Sequence, residues 1–202
     1  AFHTVTIQDD DQATVAFASA SASVSESGSY DIAIILSLPE GSSLPVPVVA
    51  SVTASGGSAG ANDYALPVTQ VTFNAGSVDG ATRTLTLTGT DDGLLEGDET
   101  LVLELQVDSG PATTGAASSA TITLTDDETA QVAFASATST SSSEASAAST
   151  MVNTILTVNS TTTDPGTLAP DVTLTADISA AASPGTATAG SDFTLSTSQG
   201  TF

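Results

Sequence analysis

The sequence predicts an all-β protein built from tandem antiparallel β-sandwiches, and three observations support this prediction. Most apolar residues alternate with small or polar residues in short segments, which is typical of strands with one buried face. Gly, Pro, Asn and Asp interrupt these segments, and no segment shows the periodicity of an amphipathic helix. Finally, a domain-sized stretch of sequence recurs within the 202 residues.

The repeat defines the predicted domains. The stretch QDDDQATVAFASA at 8–20 recurs as TDDETAQVAFASA at 125–137, and Asn62-Asp63-Tyr64 recurs as Ser191-Asp192-Phe193. We therefore predict a complete domain at 12–128 and a partial second domain at 129–202 that lacks its last strands. Residues 1–11 match the C-terminal strand of a preceding repeat, so we interpret the chain as a window of a longer array. Completion of one subunit by a strand from its neighbour is the alternative.

Within the complete domain, the alternation predicts seven strands. Their apolar residues run, in order, from Val15 to Phe17, Ile32 to Leu38, Val46 to Ala54, Val71 to Phe73, Leu85 to Leu87, Leu101 to Val107 and Ile122 to Leu124. Pro45 and Pro47 open the third segment and predict an edge position, because proline cannot donate a ladder hydrogen bond. Seven short strands separated by turns in a domain of this length are typical of an immunoglobulin-like sandwich.

Composition excludes several classes of partner and chemistry. The chain has 23 acidic residues, a single basic residue (Arg83), no Cys and a formal charge of −22. Nucleic acid is excluded because phosphate binding requires Lys and Arg clusters. The same argument disfavours anionic membranes, and no apolar run is long enough to span a membrane. With one His and no Cys, no familiar hydrolytic triad can form, so we predict that the chain is not an enzyme. The Ser, Thr, Ala and Gly richness predicts an extracellular or cell-surface location.

The most acidic stretch lies between two predicted strands. Five carboxylates fall between Asp91 and Glu99, and no basic residue is closer than Arg83. Calcium takes six to eight oxygen ligands, and carboxylates are the strongest of these. The loop is therefore a candidate calcium site, with a solvated acidic turn that deters aggregation as the alternative.

Several motifs, taken in order, resemble the Calx-β family. They are Val15-x-Phe17, the Glu26 that precedes a strand, Asp63-Tyr64, the loop Asp91-Asp92-x-x-x-Glu96-x-x-Glu99, and a closing strand that ends in Asp126-Asp127-Glu128. The resemblance covers nearly the whole chain, and it implies an immunoglobulin-like sandwich of the Calx-β type. Calcium-binding members of this family hold their ions at one end of the sandwich.

The resemblance also implies a set of calcium ligands. These are Glu26, Asp63, Asp91, Asp92, the carbonyl of Leu94, Glu96, Glu99, Asp126, Asp127 and Glu128. Loops at strand ends converge at one end of a sandwich, so acids that are distant in sequence can gather there. Position 93 is Gly where some members carry a third consecutive Asp, which removes one ligand. The second domain retains only Glu144 and Asp192 of the set.

These observations predict a non-enzymatic, calcium-binding structural repeat of a large secreted or cell-surface adhesin or extracellular filament. Calcium would rigidify the joints between domains, and the partners would be neighbouring repeats or identical filament subunits. One alternative is a calcium-responsive regulatory module, which the near-absence of Lys and Arg disfavours. Another is a glycan-binding or ice-binding domain, which would need an exposed aromatic residue or a flat Thr platform. Thr84, Thr86 and Thr88 form a row of the kind that ice-binding surfaces use, although Thr is also an ordinary strand residue.

Asn159-Ser160-Thr161 matches the acceptor sequence for N-glycosylation. The sequence predicts either a glycan at Asn159 or an unmodified loop.

Overall fold

A computed structural model describes residues 2–6, 12–138, 149–162, 166–180 and 194–202. These residues form sixteen strands: β1 (Ala13–Phe17), β2 (Ser21–Ser25), β3 (Ser29–Ser37), β4 (Val48–Gly57), β5 (Tyr64–Ala65), β6 (Gln70–Phe73), β7 (Thr82–Gly89), β8 (Leu94–Leu95), β9 (Glu99–Ser109), β10 (Ala112–Thr114), β11 (Ser119–Thr125), β12 (Thr129–Phe134), β13 (Thr154–Asn159), β14 (Thr167–Leu168), β15 (Thr175–Asp177) and β16 (Gln199–Thr201). Among the residues described, no helix is long and apolar enough to cross a membrane.

The chain divides into two units. The first contains residues 1–91 and 97–126, and the second contains residues 92–96 and 127–202. The short strand β8 therefore belongs to the second unit, although its sequence lies between two strands of the first.

The first unit consists of two five-stranded sheets with an apolar core. One sheet has the order β10-β1-β3-β7-β5 and the other has the order β2-β11-β9-β4-β6. The predicted all-β sandwich is confirmed, and each of the seven predicted segments forms a strand. The prediction missed β2, β5 and β10, which are short or rich in Ser and Thr and lack a clear alternation.

Two details of the predicted topology were wrong. The sandwich is not wholly antiparallel, because β1 pairs with β10 and β2 pairs with β11 in parallel. Moreover, β4 lies between β9 and β6 instead of at an edge. Pro45 and Pro47 permit this position because the strand begins only at Val48, after both prolines.

The core of the first unit follows the alternation of its strands. In β9, Leu101, Leu103 and Leu105 are buried while Glu104 and Gln106 are exposed. Complete burial of such a side chain stabilises a fold by roughly 1.5–3 kcal/mol. The opposed rows of aliphatic side chains thus hold the two sheets together and fix the positions of the loops at their ends.

Arg83, the single basic residue, joins the two sheets at one side. Its Nε donates to the Thr72 carbonyl at 2.8 Å, and its Nη1 donates to the Thr82 carbonyl at 2.8 Å. The guanidinium also lies over the Phe73 ring, 5.2 Å from the centroid. Arg83 in β7 is therefore tied to β6 of the opposite sheet.

The second unit contains three two-stranded sheets in its described residues. β12 pairs with β13 and β15 pairs with β16, both antiparallel, whereas β14 pairs with β8 in parallel. Glu144, Asp192 and Asp9 to Asp11 lie outside the described residues, and residues 2–6 are exposed and form no strand. The predicted domain limits at 11 and 128 stay predictions.

Candidate metal site

Several strands of the first unit begin or end at the same pole. Register places Ser29 of β3 opposite Thr88 of β7, Tyr64 of β5 opposite Gly89, and Glu99 of β9 opposite Leu124 of β11. In the second sheet, the last residues of β2 and β11, Ser25 and Thr125, are paired. Five of the predicted ligands lie within two residues of these positions, so the first unit gathers them at this pole: Glu26, Asp63, Asp91, Glu99 and Asp126.

Glu26 is held at this pole by the backbone. Its N–H donates to the Thr125 carbonyl at 3.1 Å, and the residue is only 9% exposed. Gly89 passes so close that a Cβ there would lie 2.4 Å from the Glu26 carbonyl oxygen. Glycine is therefore required at position 89 for β7 to deliver the acidic loop beside Glu26.

Two pairs of carboxylates from separate loops meet within the first unit. A carboxylate oxygen of Glu26 lies within 4.8 Å of one from Asp91, and the same holds for Asp63 and Glu99. Asp63 is fixed in place because its carbonyl accepts the Thr90 N–H at 2.9 Å and its carboxylate accepts the Gly60 N–H. These two pairs are consistent with the predicted convergence of the four carboxylates on one pole.

Asp126 connects the closing strand to the acidic loop. It follows β11 directly, and its carboxylate accepts the backbone N–H of Gly97. Gly97 has φ +85°, a conformation that glycine adopts without strain. The carboxylate of Asp126 therefore fixes the returning side of the loop.

The remaining predicted ligands belong to the second unit. Asp127 and Glu128 bring carboxylate oxygens within 4.8 Å of one another, and Glu128 is only 5% exposed. Asp127 also accepts a hydrogen bond from the Thr161 hydroxyl at 3.2 Å. The carboxylate of Asp92 accepts the Leu94 N–H at 2.8 Å, and Glu96 is half-buried.

The donor atoms of these residues fit calcium. Calcium–oxygen distances are about 2.3–2.6 Å, so two oxygens on one ion lie no more than about 5 Å apart. Each carboxylate pair satisfies this limit, because its oxygens lie within 4.8 Å of one another. Every predicted ligand is an oxygen, without thiolate or imidazole, which is the donor set of a hard cation and not that of zinc.

Sequence reasoning missed the residues that support the loop. Gly89 carries no local signal, because its role depends on the strand packed against it. At Gly93 the sequence indicated a lost ligand and backbone freedom, but not its neighbours: φ is +102°, and a Cβ there would lie 3.0 Å from the hydroxyls of Ser160 and Thr162. An aspartate at position 93 would therefore clash with the segment after β13.

The fold and the acidic pole together define an immunoglobulin-like β-sandwich domain with carboxylates gathered at one end. The model of the Calx-β domain matches residues 8–128. The chain belongs to the Calx-β family.

Comparisons with solved structures gave several matches. The apo form of the Calx CBD1 domain is 17% identical with a TM-score of 0.47, over 57% of this chain and 98% of that one. The CBD12 structure from CALX1.2 is 19% identical with a TM-score of 0.47, over 56% of this chain and 44% of that one. A putative carbohydrate binding protein from Bacteroides ovatus is 14% identical with a TM-score of 0.42, over 62% of this chain and 43% of that one. No curated protein sequence matches the chain.

Proposed function

We propose that the Calx-β domain of this chain binds calcium at its acidic pole and acts as a structural repeat without catalytic activity. The observation that supports this most directly is the meeting of Glu26 with Asp91 and of Asp63 with Glu99. The two carboxylates of each pair come from different loops, and their mutual repulsion disfavours the fold unless a cation offsets it.

The proposed ligands are the ten residues that the family resemblance implies. They are Glu26, Asp63, Asp91, Asp92, the Leu94 carbonyl, Glu96, Glu99, Asp126, Asp127 and Glu128. When bound, calcium supplies positive charge and oxygen coordination to this set. The chain contributes the preorganised positions, through the Glu26–Thr125, Asp63–Thr90 and Asp126–Gly97 hydrogen bonds.

We propose that the domain is one repeat of an extracellular or cell-surface adhesin or filament, in which calcium rigidifies the joints between repeats. Three sequence features support this context: the recurrence of the opening motif, the charge of −22, and the near-absence of Lys and Arg. The proposed partners are neighbouring repeats of the same chain or identical subunits of a filament.

Thermal unfolding of the full chain with and without calcium tests the binding. Saturating calcium should raise the melting temperature by several degrees, because a ligand that binds only the folded state stabilises it. Replacing two proposed ligands, Asp91→Ala with Asp92→Ala, should remove the shift. Asp108→Ala is the matched control, since Asp108 is exposed on β9 and accepts hydrogen bonds from Ser51 and Gln70. An unchanged melting temperature of the wild type in saturating calcium would contradict the proposed calcium binding.

We also propose that Asn159 accepts an N-linked glycan. The residue is exposed at the end of β13, and the Thr161 of its acceptor sequence is exposed as well. Mass spectrometry of the chain secreted from an N-glycosylating host should show added glycan mass that Asn159→Gln abolishes. A wild-type mass equal to that of the unmodified polypeptide would contradict this assignment.

A further inference from the structure

We propose that Thr167 to Ala169 are positioning residues for the calcium loop, because they pair with one edge of β8 and so direct the Leu94 carbonyl to the opposite edge. This inference rests on the proposed calcium binding and adds the way in which the second unit shapes the ligands. All residues in the argument belong to the second unit.

Two hydrogen bonds define the paired edge of β8. The Thr167 N–H donates to the Gly93 carbonyl at 2.9 Å, and the Ala169 N–H donates to the Leu95 carbonyl at 3.2 Å. Successive carbonyls of a strand point to opposite edges, so those of residues 93 and 95 share one edge. The carbonyl of Leu94, between them, therefore points away from Thr167 and Ala169.

The opposite edge of β8 also carries a second proposed ligand. The Leu94 N–H donates to the Asp92 carboxylate at 2.8 Å. The N–H and C=O groups of one strand residue point to the same edge, which places the Asp92 carboxylate on the side of the Leu94 carbonyl. One edge of β8 is thus used for pairing with β14, and the other presents two oxygens of the proposed site.

The contacts around β8 restrict the backbone conformation of residues 93 to 95. A Cβ at Gly93 would lie 3.0 Å from both the Ser160 and the Thr162 hydroxyls, and the positive φ there disfavours other residues. Ala169, whose N–H completes the pairing, is only 2% exposed. The backbone of residues 93 to 95 is therefore fixed on one side by the segments after β13.

This arrangement makes the pairing and the binding of calcium reciprocal. An ion on the Leu94 carbonyl favours the extended backbone that β14 requires, and the pairing with β14 favours the same backbone for the ion. By linkage, each event strengthens the other by the same factor. Calcium should therefore protect the Thr167 and Ala169 amides, and removal of one of these donors should weaken calcium binding.

Amide hydrogen exchange of the full chain measures the first effect. Saturating calcium should slow the exchange of the Thr167 and Ala169 amides by about 5-fold or more, the lower end of typical couplings between sites. The Ala50 amide, in the central strand β4 of the first unit, is the internal reference. Calcium should slow its exchange only to the extent that calcium raises the global stability. If calcium binds but the Thr167 and Ala169 amides exchange no more slowly than this reference predicts, the inference fails while the calcium site stands.

Calcium titration of two variants at one position measures the second effect. Ala169→Pro removes the N–H donor, whereas Ala169→Gly keeps it and serves as the matched control. The proline variant should bind calcium about 5-fold or more weakly than the glycine variant. Equal affinities would overturn the positioning role, and absence of calcium binding by the wild type would instead overturn the proposed function on which it rests.

Discussion

Strands β1 and β12 have almost the same sequence but very different surroundings. β1 reads Ala13-Thr-Val-Ala-Phe17, and β12 includes Ala130-Gln-Val-Ala-Phe134. Both pair with the next long strand in antiparallel register, β3 and β13 respectively. Yet Phe17 is 3% exposed, whereas Phe134 is 55% exposed.

The difference shows what a strand sequence determines and what it does not. Alternation of Val and Phe with smaller residues is enough to form the strand and its pairing. Burial of Phe17 also needs a second sheet facing β1, which the first unit supplies through β9. The described residues of the second unit form only two-stranded sheets, and Phe134 is correspondingly exposed.

The largest expected effect in this comparison comes from truncating Phe17. Phe17→Ala should lower the free energy of unfolding of the first unit by about 3–5 kcal/mol, because it leaves a cavity in a closed core. The change is measured by urea unfolding of the full chain. A cost below about 1 kcal/mol would mean that β1 is no better packed than β12, and the comparison would fail.

A smaller loss of stability is expected when the close backbone contact at the acidic pole, between Gly89 and Glu26, is disturbed. Gly89→Ala should destabilise the first unit by about 0.5–3 kcal/mol, the range for most destabilising substitutions, since the added Cβ meets the Glu26 carbonyl. It should also weaken calcium binding by displacing Glu26. Gly56→Ala is the control: nothing lies within 4 Å of its Cβ position, and its φ is not positive. Equal stabilities of the two variants would show that the approach of β7 to Glu26 is not tight.

The smallest effect on the first unit is expected from truncation of Phe134, and the rate of tryptic cleavage can measure it. The chain has one Arg and no Lys, so trypsin can cleave only after Arg83, inside β7 of the first unit. Cleavage should therefore report opening of the first unit alone. Phe134→Ala should leave the cleavage rate within about 2-fold of the wild type, as for an exposed substitution, whereas Phe17→Ala should raise it strongly. A large acceleration by Phe134→Ala would show that β12 contributes to the first unit.

The predictability of the fold varied with the sequence signal of each element. β3 and β9 were identifiable from alternation alone, because their Ile and Leu residues face a closed core. β2 was not, since Val24 is its only well-buried residue among serines. The position of β4 was misjudged because the prolines were assigned to the strand that in fact follows them.

The candidate site was predictable in part. The acidic loop at Asp91 to Glu99 suggests calcium by its composition, but Glu26 and Asp63 became candidates only through the family resemblance. The structure brings these two residues to Asp91 and Glu99. The pairing of Leu94 and Leu95 with Thr167 and Leu168 had no sequence signal, because a two-residue strand has no periodicity and its partner is distant in sequence.

Terbium luminescence tests the proposed calcium site at the pole most directly. Terbium binds to calcium sites and emits when a nearby tyrosine is excited. The chain has no Trp and two tyrosines, of which Tyr64 follows Asp63 and pairs with Gly89 at the pole, and Tyr30 lies near the start of β3. The account predicts terbium emission on excitation of tyrosine, which calcium displaces and Asp91→Ala with Asp92→Ala removes. Absence of any calcium-displaceable emission from the wild-type chain would contradict it.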